Sequence, residues 1–110
     1  MARIERLEAL IRKEVADILQ RNIDDSRIGF VSVTDVEISK DMSTATVFYS
    51  QLGSDKEKAA TRKGLASATG HVHYELCRRI NYIKSVPKVV FRFDDGIERG
   101  ASILNLMKDM

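Results

Sequence analysis

The sequence has one cysteine, Cys77, one proline, Pro87, and no tryptophan among its 110 residues. A single cysteine excludes an internal disulfide, and a small domain without disulfides is typical of a reducing compartment such as the cytoplasm. Charged side chains crowd the first twenty residues, which excludes the apolar core of a signal peptide. No apolar run approaches the roughly 20 residues of a membrane span. We therefore expect a cytoplasmic protein that does not contact membranes.

The overall composition is that of an ordinary globular protein. Hydrophobic residues make up 44% of the chain and charged residues 31%. This balance excludes disordered and fibrous classes, and the length suits one core of modest size. We expect a single domain over residues 1–110.

Charge is distributed unevenly along the chain. The net charge is only +2, but residues 56–92 contain nine Lys and Arg against two Glu, whereas the segments on either side are acidic. A basic segment of this kind favours a polyanionic partner such as nucleic acid. The alternative is a solvated basic face with no partner.

The first half of the chain predicts a helix followed by a β-hairpin. Apolar residues at three- and four-residue spacing predict an amphipathic helix over residues 3–22. Alternating patterns predict strands over 31–38 and 44–51, which pair as an antiparallel hairpin. The alternation of the first strand changes phase near Thr34–Asp35, where we expect a bulge.

The second half predicts helices and a third strand. Ser54 and Glu57 have the spacing of a capping box, and helical periodicity continues from there to about residue 83. Gly70 lies inside this stretch, so we expect a kink or break at Ala68–Gly70 that divides it into two helices. A strand follows over 88–94, then a short terminal helix containing Ile103, Leu106 and Met107. Three strands covered by helices on one face make an α+β fold.

Residues suited to catalysis or metal binding do not converge. Helical geometry places His73 and Cys77 on one face and His71 on the opposite side, so the three cannot bind one metal ion. Pro87 prevents the helical turn that a Ser85–Lys88 catalytic pair requires. Phosphate-binding glycine loops are also missing from the sequence. We expect a non-enzymatic protein without cofactor or metal.

The predicted kink is a better candidate for a binding site. A helix that begins after Gly70 exposes its first amides and the positive end of its dipole, which suits a phosphate group. His71, Arg78 and Tyr82 share the exposed side of that helix, and basic and aromatic groups together suit RNA. The alternative is that Gly70 only permits close packing and Tyr82 only covers the edge of the core.

A helix-kink-helix unit between a β-hairpin and a last strand resembles the type II KH RNA-binding architecture, with Ala68-Thr69-Gly70 in place of the usual G-x-x-G loop. An Ala-x-Gly kink here is similar to that of the ribosome-binding factor A family. Other segments agree over essentially the whole chain: Asp25-Ser26-Arg27-Ile28-Gly29, Val36-Glu37-Ile38-Ser39-Lys40-Asp41, and Val86-Pro87-Lys88-Val89. Ser26 departs from the pattern, since many members have proline there.

The resemblance implies a small, monomeric, cytoplasmic assembly factor that binds the free small ribosomal subunit and 16S ribosomal RNA. It further implies support of late subunit maturation and of 16S rRNA processing near the 5′ end, with importance in the cold. Combining it with the basic segment, we expect the kink residues and nearby side chains to contact RNA: Ala68, Thr69, Gly70, His71, Arg78, Arg79, Lys84 and Lys88.

Two other functions stay open at this point. A generic single-stranded nucleic-acid-binding module would bind short oligonucleotides well without an assembled subunit. A small protein-interaction domain would use the basic face to meet an acidic protein, and its co-sedimentation with ribosomal particles would not depend on RNA.

Overall fold

The computed structural model describes residues 3–94, which form two helices and three strands. Their order is α1 (Arg3–Arg21), β1 (Ser32–Ile38), β2 (Thr44–Ser50), α2 (Asp55–Arg79) and β3 (Lys88–Phe93). The α+β class and the three-stranded sheet are confirmed. The terminal helix predicted around Ile103, Leu106 and Met107 lies outside the described residues.

The hairpin and its bulge are confirmed. β1 and β2 pair in antiparallel register with Val36 opposite Val47, and the register shifts between Val33 and Asp35. The displaced residue, Thr34, donates its hydroxyl to Oδ2 of Asp94 at 2.6 Å. The bulge therefore turns a polar side chain toward the end of β3.

The third strand completes a mixed sheet in the order β1-β2-β3. β3 runs parallel to β2, with Val89 beside Ala45 and Phe93 beside Tyr49. Parallel neighbours need a long crossover connection, and α2 provides it. The last strand therefore begins at the hairpin end of the sheet, where the amide of Lys88 donates to the carbonyl of Ser43 at 3.0 Å.

The core lies between the helices and the sheet. Helix α1 buries one stripe of apolar side chains: Leu7, Ile11, Val15 and Ile18. Helix α2 contributes Leu65, Ala68, Val72 and Leu76, and the sheet contributes Val36, Ala45, Val47 and Val89. The stripe on α1 repeats every three or four residues, as the sequence predicts. Burial of the apolar side chains of the whole core is the main favourable term in folding.

Helix α2 differs from the prediction in its middle. It begins at the predicted capping box, where Ser54 Oγ accepts from the Glu57 amide at 3.2 Å. It then continues through Ala68–Gly70 as one helix, so the expected break into two helices is wrong, while the expected kink at these residues stays a prediction. A glycine costs a helix up to ~1 kcal/mol, less than the helix gains by burying side chains on both sides of it, such as Leu65 and Val72.

The end of α2 also differs. The helix ends at Arg79 rather than near residue 83. The next residue, Ile80, has non-helical backbone angles (φ −117°, ψ 44°) and a buried side chain. A turn follows, closed by a hydrogen bond from the Ile83 amide to the Ile80 carbonyl at 3.0 Å. Tyr82 is therefore not on the helix.

Candidate nucleic-acid interface

The exposed face of α2 carries two stacked rings and a guanidinium. The His71 and Tyr74 rings lie 6.5 Å apart, inclined by 25°, and the guanidinium of Arg78 lies 6.0 Å from the centre of the Tyr74 ring. Tyr74 is 59% exposed. Arg78 also contacts Glu75 at 3.5 Å, but its side chain stays open to solvent. The face therefore presents flat rings and an exposed positive charge, a pairing suited to bases and phosphates.

Tyr74 is the member of this cluster that the sequence reasoning missed. The prediction grouped Tyr82 with His71 and Arg78 on the assumption that the helix continued. With α2 ending at Arg79, Tyr74 takes that place instead. The signal was available, since residues three and four apart on a helix are neighbours, and Tyr74 stands at those distances from His71 and Arg78.

The residues of the predicted kink lie within the continuous helix. Ala68 is buried, and the Thr69 hydroxyl donates to the Leu65 carbonyl at 2.8 Å. Gly70 is exposed, and a Cβ added to it would meet nothing within 4 Å. Because no new helix begins here, there are no free first-turn amides, and the expected phosphate site at a helix N-terminus is wrong. Gly70 instead leaves open surface one residue before His71.

Arg79 is engaged inside the protein. Its guanidinium contacts Asp17 at 2.6 Å and Glu14 at 3.1 Å, both on α1, and donates to the side-chain oxygen of Asn22 at 2.7 Å. The hydrogen bond from Arg79 lowers the pKa of Asp17, and those carboxylates raise the pKa of Arg79. Arg79 therefore joins the two helices and is not a free cation on the interface.

Lys84 and Lys88 are exposed but lie away from the rings. Lys84 is in the turn after α2, beside the first turns of α1, and Lys88 is the first residue of β3. The predicted residues thus separate into a helix-face group (His71 and Arg78) and a group near the hairpin end of the sheet.

The histidines and the cysteine are arranged as helical geometry predicts. Cys77 Sγ lies 3.6 Å from Nε2 of His73, and the same nitrogen lies 3.4 Å from the Val86 carbonyl. His71 stacks on Tyr74 instead. Within residues 3–94, no group of three or more His, Cys, Asp or Glu is placed to hold a metal ion.

Neither described helix has an apolar stretch long enough to cross a lipid bilayer.

Comparison with known proteins gives a consistent result. The sequence model of the family described as ribosome-binding factor A matches residues 3–107. The chain is 44% identical over 106 residues to ribosome-binding factor A of Halothermothrix orenii, covering 96% of this chain and 86% of that one.

Solved structures agree on the fold. The crystal structure of ribosome-binding factor A from Thermus thermophilus superimposes with a TM-score of 0.70 at 24% identity, covering 83% of this chain and 96% of that one. A homology model of the Thermus thermophilus factor fitted into a cryo-EM map of a 30S complex has a TM-score of 0.64 at 24% identity, covering 78% of this chain and 89% of that one.

Proposed function

Because the chain belongs to the ribosome-binding factor A family, we propose that it binds the free small ribosomal subunit as a non-catalytic assembly factor, through contacts with 16S rRNA. The Thermus thermophilus factor of the same fold has been fitted into a 30S complex, which supports this choice of partner. The narrower classification as a type II KH-like domain stays a prediction.

The observation that carries the proposal is the stack of His71, Tyr74 and Arg78 on α2. All three side chains are directed away from the core, and neither ring packs in it. Base stacking on an aromatic ring contributes about 1–3 kcal/mol per base, and each phosphate held by a cation adds to the salt dependence of binding. The cluster can therefore hold an unpaired base and its phosphate together.

The proposal extends to the stage of assembly. The factor supports late maturation of the small subunit and processing of 16S rRNA near its 5′ end, acts as a cytoplasmic monomer, and matters most at low temperature. A surface that holds one RNA conformation, and is released when the mature subunit no longer presents it, would serve this role by shifting a conformational equilibrium.

Sedimentation of the protein with purified small subunits at low and moderate salt tests the proposal. The wild type should travel with free small subunits and little with assembled ribosomes. Arg78→Glu should weaken co-sedimentation about tenfold or more and reduce the salt dependence. Lys13→Glu makes the same charge change at an exposed position on α1, so it controls for net charge and should bind close to wild type.

Tyr74 separates stacking from charge. Tyr74→Phe should bind nearly as well as wild type, and Tyr74→Leu should lose affinity. Equal binding by Arg78→Glu, Tyr74→Leu and the control would refute the assignment of this face. Tight binding to short oligonucleotides but not to subunits would favour the generic nucleic-acid-binding module, and co-sedimentation that survives RNase would favour a protein partner.

The proposed roles in 16S rRNA processing and in growth at low temperature are tested in cells. Loss of the protein should cause precursor 16S rRNA with an unprocessed 5′ end to accumulate, more strongly in the cold. Wild-type protein should correct this and Arg78→Glu should not. Normal 16S rRNA ends in cold-grown cells lacking the protein would contradict the processing role.

A further inference from the structure

A groove lies beside the turn after α2, and none of the three ring-cluster residues lines it. It has a volume of about 600 Å³ and lies between the start of α1, the turn of the β-hairpin and the turn after α2. Arg3 and Arg6 line it from α1, Met42 from the hairpin, and Tyr82 and Lys84 from the turn. These residues are far apart in sequence, so the fold alone brings them together.

The groove is positively charged. Arg3, Arg6 and Lys84 supply three cations, and within residues 3–94 none of them forms an ion pair. Among residues 3–94, the one acid on its wall is Asp41, whose hydroxyl partners Ser39 and Ser43 lower its pKa to about 2 and keep it ionised. Two positive charges remain in excess, which favours an anionic occupant.

The groove also has an aromatic wall and an apolar floor. Tyr82 is 73% exposed, although it follows α2 by only three residues. Leu10 and Ile83 form the floor, partly buried against the core. A flat ring beside unpaired cations, over an apolar floor, matches a nucleotide, whose base stacks while its phosphate is neutralised. An acidic peptide would use the cations but would have no comparable use for the ring.

Met42 provides an independent indication. Its backbone lies in the left-handed region, with φ 62°. Met42 is the last residue of a turn, and its amide donates a hydrogen bond to the Ser39 carbonyl at 2.8 Å. Hairpin turns normally place glycine or asparagine at such a position. A methionine there keeps a long apolar side chain on the groove at a conformational cost, and residues held in uncommon backbone conformations cluster at ligand sites.

We propose that this groove is a second RNA-binding site, which takes one unpaired nucleotide of a single strand: the base against Tyr82 and Met42, the phosphates on Arg3, Arg6 and Lys84. The choice of RNA over other anions rests on the proposed function. The site itself rests on the groove.

Fluorescence anisotropy with a short labelled oligouridine tests the groove directly. Tyr82→Ala should weaken binding about tenfold, as loss of a stacked base does. Arg6→Gln should weaken it and make the slope of log affinity against log salt shallower by about 0.7, the value for one single-strand phosphate. Two controls remove the same groups elsewhere: Arg12→Gln on another face of α1, and Phe30→Ala at another exposed aromatic. Both should bind like wild type.

Met42→Gly separates binding from folding. Glycine suits the left-handed backbone, so the melting temperature should stay the same or rise, while affinity for the oligouridine falls several-fold. Amide chemical shifts on titration with the RNA should move at residues 42 and 82–84. Shifts confined to residues 71–78, or equal affinity and salt slope for Tyr82→Ala, Arg6→Gln and their controls, would overturn the proposal.

Two further arms separate the possible failures. If polyglutamate binds as tightly as the RNA and shows the same sensitivity to Tyr82→Ala, the groove is an acidic-peptide site and the proposal is wrong. If the wild-type protein sediments with small subunits but the groove variants bind oligouridine as tightly as wild type, the proposal of a second RNA site is wrong and the proposed function stands. Wild-type protein that fails to sediment with subunits overturns the proposed function, and the oligouridine data still decide the groove.

Discussion

Two glycines of α2 should respond in opposite ways to alanine. A Cβ on Gly64 would lie 2.6 Å from Cγ1 of Ile28 and 3.3 Å from Cβ of Arg27, in the loop that crosses the helix. A Cβ on Gly70 would meet nothing within 4 Å. Both substitutions gain up to ~1 kcal/mol of helix propensity, but only Gly64→Ala also overpacks its surroundings, at a cost of about 1–3 kcal/mol.

Gly70→Ala should therefore stabilise the protein by up to ~1 kcal/mol, a rise in melting temperature of roughly 4 °C. Gly64→Ala should be less stable than Gly70→Ala by about 1–3 kcal/mol. Urea unfolding followed by circular dichroism measures both, and each variant is the other's control. A destabilised Gly70→Ala would refute the uninterrupted helix, and a Gly64→Ala as stable as Gly70→Ala would refute the packing of Ile28 on α2.

The remaining predictions concern acid and the loop after α1. A hydrogen bond from the Arg27 side chain lowers the pKa of Asp25 to about 2, and hydrogen bonds from Ser39 and Ser43 lower the pKa of Asp41 to about 2. A hydrogen bond from Arg79 lowers the pKa of Asp17. A carboxylate with a lowered folded pKa stabilises the fold above its unfolded pKa near 4 and loses that contribution as pH falls below it. The melting temperature should therefore fall as the pH is lowered from about 4 to about 2, and it should fall less steeply for Asp25→Asn. An equally steep fall in that variant would contradict the lowered pKa of Asp25. Ser26→Pro should stabilise the folded protein by about 0.4–1 kcal/mol. Ser26 is the second residue of a turn in which the Ile28 amide donates a hydrogen bond to the Asp25 carbonyl, and proline suits that position. Urea unfolding checks it, and a loss of stability would show that the turn backbone differs from that described.

The sequence predicted those parts of the fold that depend on local patterns. The stripe on α1, the phase change at Thr34 and the spacing of Ser54 and Glu57 each specify their structure within a few residues. The predicted break at Gly70 is wrong, because the helix-propensity penalty of glycine was considered without the apolar contacts that α2 makes with the rest of the core. Propensity is a weak guide when tertiary packing opposes it.

The free cations of the candidate interface were harder to predict, because a count of charges does not say which side chains are already paired within the protein. Arg78 and Arg79 are equivalent in the sequence, yet one faces solvent and the other is held by Glu14 and Asp17 on α1. The acids responsible lie more than sixty residues away, so no local pattern could identify them.

The same long-range pairing limits which cations are available to the two proposed RNA-binding surfaces. Because Arg79 is held by α1, the exposed cations near the end of α2 are Arg78 on the helix face and Lys84 beyond the turn. The turn at Ile80 directs these two toward different surfaces, one with Tyr74 and the other with Tyr82. Each surface therefore combines one exposed tyrosine with unburied positive charge. If both surfaces bind RNA as proposed, two such contacts on one chain would constrain the path of an RNA strand more than either does alone.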